Sequence, residues 1–86
     1  KFALYANYPN PFNPATMITF DIAKQTGAKL YVYDILGRVV STLVNEQLTP
    51  GKYEIRFDAS MLSSGVYFYR LETADFTDTR KLLLLK

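Results

Sequence analysis

The chain has no cysteine, no histidine and no tryptophan, and only 4 glycines and 4 prolines among 86 residues. Each shortage removes a class of explanation. Without cysteine there is neither a disulfide nor a thiolate metal site. Without histidine the usual general base and the commonest metal ligand are missing, and Ser–His nucleophilic triads are excluded. No apolar run approaches the roughly 20 residues that a membrane-spanning helix needs. Charge of one sign is also scarce, with 10 basic against 8 acidic residues and a net +2. The basic residues are dispersed between acids, which argues against nucleic acid as a partner.

The remaining candidates for chemistry are weak. Asp75 and Asp78 lie close together in a solvated loop, where both stay ionised, whereas glycosidase-type catalysis needs one carboxylic acid raised by burial. Asp21, Asp34, Glu54, Asp58 and Glu72 are scattered at strand edges, without the spacing of a calcium loop. Ser60, Ser63 and Ser64 read as turn and cap residues. The sequence therefore predicts no catalysis, no metal and no cofactor.

What is present is apolar and aromatic. Hydrophobic residues make up 49% of the chain, including 7 Tyr and 6 Phe. That is ample for a folded β module, and the length predicts one domain over residues 1–86. The chain opens on Lys1 with no charged-then-apolar leader, so the reading expects a portion of a longer protein.

Tyr5 to Pro14 contains Pro9, Pro11 and Pro14, which predict a stiff, extended, non-helical lead-in over residues 1–15. Asn10 and Asn13 can tie turns, and Tyr8 and Phe12 are the expected anchors holding this segment on the sandwich. Thr16–Ile22 alternates, with Ile18, Phe20 and Ile22 on one face. Ala28–Asp34 places Leu30 and Val32 opposite Tyr31 and Tyr33. Asp34-Ile35-Leu36-Gly37-Arg38 is a hairpin signal in which Gly37 takes the left-handed conformation. The return strand is expected over Val39–Val44, a Pro50-Gly51 turn follows, and Lys52–Asp58 turns Tyr53, Ile55 and Phe57 inward. Asp58–Gly65 has the caps for one helical turn. Val66–Thr73 and about Thr77–Lys86 form the last hairpin. Together these predict an all-β, immunoglobulin-like antiparallel sandwich of about seven strands. Ser64-Gly65-Val66-Tyr67-Phe68-Tyr69 has the form of a tyrosine corner, in which Tyr67 bonds back to the preceding loop.

The last hairpin is apolar on both faces. Tyr67, Tyr69 and Leu71 oppose Val66 and Phe68, and Leu83 and Leu85 oppose Leu82 and Leu84. A strand is two-sided only if something covers its second side. Either the leucines are core plus cover, or the terminal strand is read as an extended peptide by a partner that adds it to a sheet edge, with Arg80, Lys81 and Lys86 supplying charge at the margins. Tyr31, Tyr33, Phe68 and Tyr69 could also form a platform for sugar rings or bases, although aromatics in strands serve cores and cross-strand pairs more often.

Asn7-Tyr8-Pro9-Asn10-Pro11-Phe12-Asn13-Pro14, Val32-Tyr33-Asp34-Ile35-Leu36-Gly37-Arg38, Pro50-Gly51 before Tyr53, Leu62 to Leu71, and Arg80-Lys81 through Lys86 occur in that order. Together they resemble the C-terminal sorting domain of cargo of the type IX (Por) secretion system. They also look like the related immunoglobulin-like domain of the flagellar hook-capping family. The resemblance implies an address carried by a secreted or cell-surface protein that passes through the periplasm and then the outer membrane. The implied partners are secretion-machinery proteins and a cargo domain upstream in the same chain. Carried over to this sequence, the sorting determinant is Lys81-Leu82-Leu83-Leu84-Leu85-Lys86 with Arg80, supported by Gly65-Val66-Tyr67-Phe68-Tyr69. Pro9, Pro11, Pro14, Gly37 and Gly51 are structural. The alternative is a spacer or carbohydrate-binding accessory module of a secreted multidomain enzyme, which would bring polysaccharide in as a partner.

Overall fold

In the computed structural model, which describes residues 1–86, alternation of apolar and polar residues becomes seven strands and no helix. They are β1 (Ala3–Leu4), β2 (Ala15–Ile22), β3 (Thr26–Tyr33), β4 (Val39–Leu48), β5 (Gly51–Asp58), β6 (Gly65–Glu72) and β7 (Thr77–Leu84). One antiparallel sheet has the order β1-β2-β5 and the other β4-β3-β6-β7. The two pack as an immunoglobulin-like sandwich around one cluster of 17 buried apolar residues. Ile18, Phe20 and Ile22 face Leu30, Val32, Tyr69 and Leu71 across it, and all are buried. The tyrosine corner is formed, with the Tyr67 hydroxyl donating to the Ser63 carbonyl at 2.7 Å.

Several boundaries differ from the sequence reading, each for a reason in the pairing. Strand β4 runs to Leu48, four residues past the expected end. Asn45-Glu46-Gln47 looks like a polar loop, yet it pairs with Lys29, Ala28 and Gly27, and Leu48 is carried inward. Cross-strand hydrogen bonding here overrides intrinsic preference. Two register shifts in the β3–β4 pair leave Leu43 and Val40 as extra residues, and both pack against the core. Asp58–Gly65 makes no helical turn. Asp58 Oδ1 instead accepts from the Ser60 N–H at 2.9 Å, and Leu62 N donates to the Ala59 carbonyl at 2.9 Å, which closes a plain turn.

The proline-rich segment is non-helical but bent rather than straight, because it crosses from one sheet to the other. Tyr8 bridges Met17 on β2, and Phe12 bridges Leu84 on β7. Of the two expected anchors only Phe12 is one, at 2% exposure against the Phe57 ring, while Tyr8 is 80% exposed. Pairing explains the difference. Met17 lies on the outward face of β2 between buried Thr16 and Ile18, and its cross-strand neighbour Tyr8 shares that face.

Candidate recognition surface

The surface is built on the β6–β7 hairpin. Antiparallel register sets Gly65 opposite Leu84, Val66 opposite Leu83, Tyr67 opposite Leu82 and Phe68 opposite Lys81. Because side chains alternate, Tyr67, Tyr69, Leu82 and Leu84 all point into the sandwich, and both of those leucines are wholly buried. Leu83 is half-buried on the outer face, and Leu85, past the end of β7, is 50% exposed. The four leucines thus divide two and two. Beside Leu83 stand Val66 and Phe68, and Tyr33 stacks on Phe68 with ring centroids 5.9 Å apart.

The hairpin is braced from inside. The Tyr69 hydroxyl donates to the Tyr5 carbonyl at 2.6 Å, and burial pushes its phenol above the usual tyrosine range. Being fully buried, Tyr69 takes no part in an exposed aromatic platform. The rings that do face outward lean on one another, and the Arg70 guanidinium lies 5.5 Å from the Tyr33 centroid, so those rings are already engaged within the sheet.

At Leu83–Leu85 the free edge of β7 is occupied by the proline-rich segment. Leu83 N donates to Asn10 Oδ1 at 3.0 Å, Leu85 N donates to the Phe12 carbonyl at 3.0 Å, and Phe12 N donates to the Leu83 carbonyl at 3.0 Å. Further along, Arg80 Nε donates to the Leu4 carbonyl at 2.7 Å. The N–H groups of Leu83 and Leu85 and the carbonyl of Leu83 are therefore already taken and are not free to add a strand. What the end of β7 offers outward is side chains. Sequence reasoning assigned Asn10 a local turn; its long-range bond to Leu83 left no signal in the sequence. Buried Asn7 was also missed. Its Nδ2 holds Pro9 and Thr16 at 3.3 and 3.0 Å, and its Oδ1 has no protein partner.

Charge around this surface is unevenly paired. Ion pairs join Lys24–Asp75, Arg38–Asp34, Lys52–Asp21, Arg56–Asp58 and Arg70–Glu72, and none reaches Arg80, Lys81 or Lys86. Lys86 is tied instead to the β5–β6 loop, through its N–H to Ser64 Oγ at 2.9 Å and its Nζ to the Ser60 carbonyl at 2.6 Å. The neighbouring β3–β4 turn is held by Asp34, whose Oδ1 accepts from the backbone N–H groups of Leu36 and Arg38 and whose Oδ2 accepts from Arg38 Nε. The Arg38 backbone bond, more than any other, keeps that carboxyl below the ordinary carboxylate range. Gly37 supplies the positive φ of 83° that the turn requires. Gly51 and Gly65 also have positive φ, and Pro9, Pro11 and Pro14 are exposed along the bent lead-in.

An apolar terminal hairpin on an immunoglobulin-like sandwich with a tyrosine corner matches a known pattern over nearly its full length. Residues 6–85 fit the family described as the secretion system C-terminal sorting domain. The chain belongs to that family. Sorting domains of this kind are carried by type IX secretion cargo, which is exported across the outer membrane to the cell surface or the extracellular space. No curated protein matches the chain. The sandwich has no helix long and apolar enough to cross a membrane.

Proposed function

We propose that this sorting domain acts without catalysis, and that secretion-machinery proteins recognise it through the outward side chains of its folded last hairpin. The supporting observation is the two-faced end of β7. Leu82 and Leu84 are consumed by the core, while Leu83 and Leu85 stand outside it beside Val66, flanked by Lys81 and Lys86, which have no carboxylate partner. Outward leucines at a chain end add little to the fold, and an apolar patch with a charged margin is a common form of docking site. The closed backbone edge favours side-chain recognition over strand addition. Arg80, Gly65, Tyr67, Phe68 and Tyr69 then act as the frame that sets the direction of Leu83 and Leu85.

The experiment is a graft. Residues 1–86 are fused to the C-terminus of a folded, periplasm-directed reporter in a host with the type IX system. The reading expects the reporter outside the cell only when the domain is present and the export channel is intact. Retention of the fused reporter in the periplasm of the competent host would overturn the reading.

A further inference from the structure

The end of the sandwich that holds Leu85 also holds the β3–β4 turn, and that turn carries two large apolar side chains with no task in the fold. Asp34 and Gly37 build the turn through their own hydrogen bonds and backbone conformation. Ile35 and Leu36 between them are 71% and 73% exposed. Single exposed apolar residues need no explanation, but these are not isolated. With Asp34 and Arg38 they line one side of a groove of about 470 Å³ whose other side is Ser64, Gly65, Val66 and Tyr67. Val66 is paired with Leu83, so the apolar surface runs without a break from the turn tip to the sorting hairpin. Val39, 56% exposed and opposite Tyr33, extends it. The other end of the molecule has no comparable exposure. There Phe2 stacks on Phe76 at 5.6 Å, and Lys24 pairs with Asp75.

Resting on the sorting reading above, we infer that the Ile35–Leu36 turn tip is a second contact for the same partner. That partner is a protein that inserts an apolar side chain into the groove and sets carboxylates against Lys81 and Lys86. Charge selects this occupant. Asp34 and Asp58, side-chain carboxylates at this end, are already paired with Arg38 and Arg56. No carboxylate lies within ion-pair distance of Lys81 or Lys86, although Lys86 acts on Asp58 at longer range, which leaves a positive margin only partly compensated. A second copy docking this face on itself by two-fold symmetry would bring two margins of like positive charge into one interface. An anionic membrane would gain little from two such residues, and would leave the groove unfilled.

The test compares export of the grafted reporter for the parent domain, for Ile35→Ser with Leu36→Ser, for Lys81→Glu with Lys86→Glu, and for Lys24→Ser with Asp75→Ser at the opposite end. The folded state of each is checked by its urea midpoint. The inference expects export to fall about tenfold or more in the first two variants, the loss typical of removing a central apolar anchor, with midpoints kept and the opposite-end variant unaffected. Normal export of the turn-tip variant alongside normal export of the parent would overturn the inference and leave the sorting reading intact. Failure of the parent domain itself would overturn both. Two measurements on the isolated domain address the other occupants. Sedimentation of the parent, but not the turn-tip variant, with phosphatidylglycerol vesicles would replace the protein partner by a membrane. Concentration-dependent self-association lost in that variant would replace it by a second copy.

Discussion

Asp34 shows how a single side chain at the margin of a surface can fix the position of its neighbours. Its carboxylate accepts two backbone N–H bonds and the Arg38 side-chain bond, which add to the backbone bonds closing the turn that presents Ile35 and Leu36 and are strongest while Asp34 is ionised. The folded state holds this carboxyl below its usual value. A lowered folded pKa stabilises the fold above the unfolded value of about 3.9, and the contribution fades as pH falls through the folded one. Asp34→Asn should therefore lower the urea midpoint at neutral pH, and the gap to the parent should narrow as pH falls below the unfolded value of about 3.9. A gap unchanged across that range would show that the charge of Asp34 plays no part. This turn was legible in the sequence, because Asp and Gly at those positions have specific backbone uses. The exposure of Ile35 and Leu36 was not, since a turn sequence does not state what its middle residues face.

Among the elements, the proline-rich segment contributes more than its composition suggested. Its prolines predict a stiff lead-in, but the residues that matter are Asn10 and Phe12, which occupy the backbone of Leu83–Leu85 from more than 70 positions away in the chain. Long-range pairing of this kind leaves no periodic trace, so the sequence showed a two-faced strand without showing how its edge is closed. The β2 and β5 alternations were readable because each strand has one wet face. Strand β4 was readable only in part, since its polar Asn45–Gln47 run is strand by pairing alone. Native amide exchange tests the closed edge. The Leu83 and Leu85 amides should be protected in the parent chain, and Asn10→Ala should speed exchange at Leu83 about fivefold, corresponding to ~1 kcal/mol for one lost hydrogen bond. Free exchange at both amides in the parent would contradict the closed edge and reopen strand addition as the mode of recognition.

At the scale of the whole molecule, the sandwich has two unlike ends along its 37 Å length. Lys1 lies beside the turns around Lys24 and Asp75, an end closed by aromatic stacking and an ion pair. Lys86 lies at the other, among Leu85, Val66 and the Ile35–Leu36 turn. Any chain joined ahead of Lys1 meets the closed end and leaves the apolar one clear. The same asymmetry divides the terminal leucines by duty. Leu82 and Leu84 hold the fold, and altering them would confuse unfolding with loss of recognition. Leu83 and Leu85 can be changed at a cost of about 1 kcal/mol or less each, small beside the ~5–10 kcal/mol stability of a domain this size. The most direct measurement is export of the grafted reporter carrying Leu83→Asp with Leu85→Asp, scored beside its urea midpoint. The account predicts a domain that stays folded and a reporter that stays in the periplasm; a folded variant exported as well as its parent would contradict it.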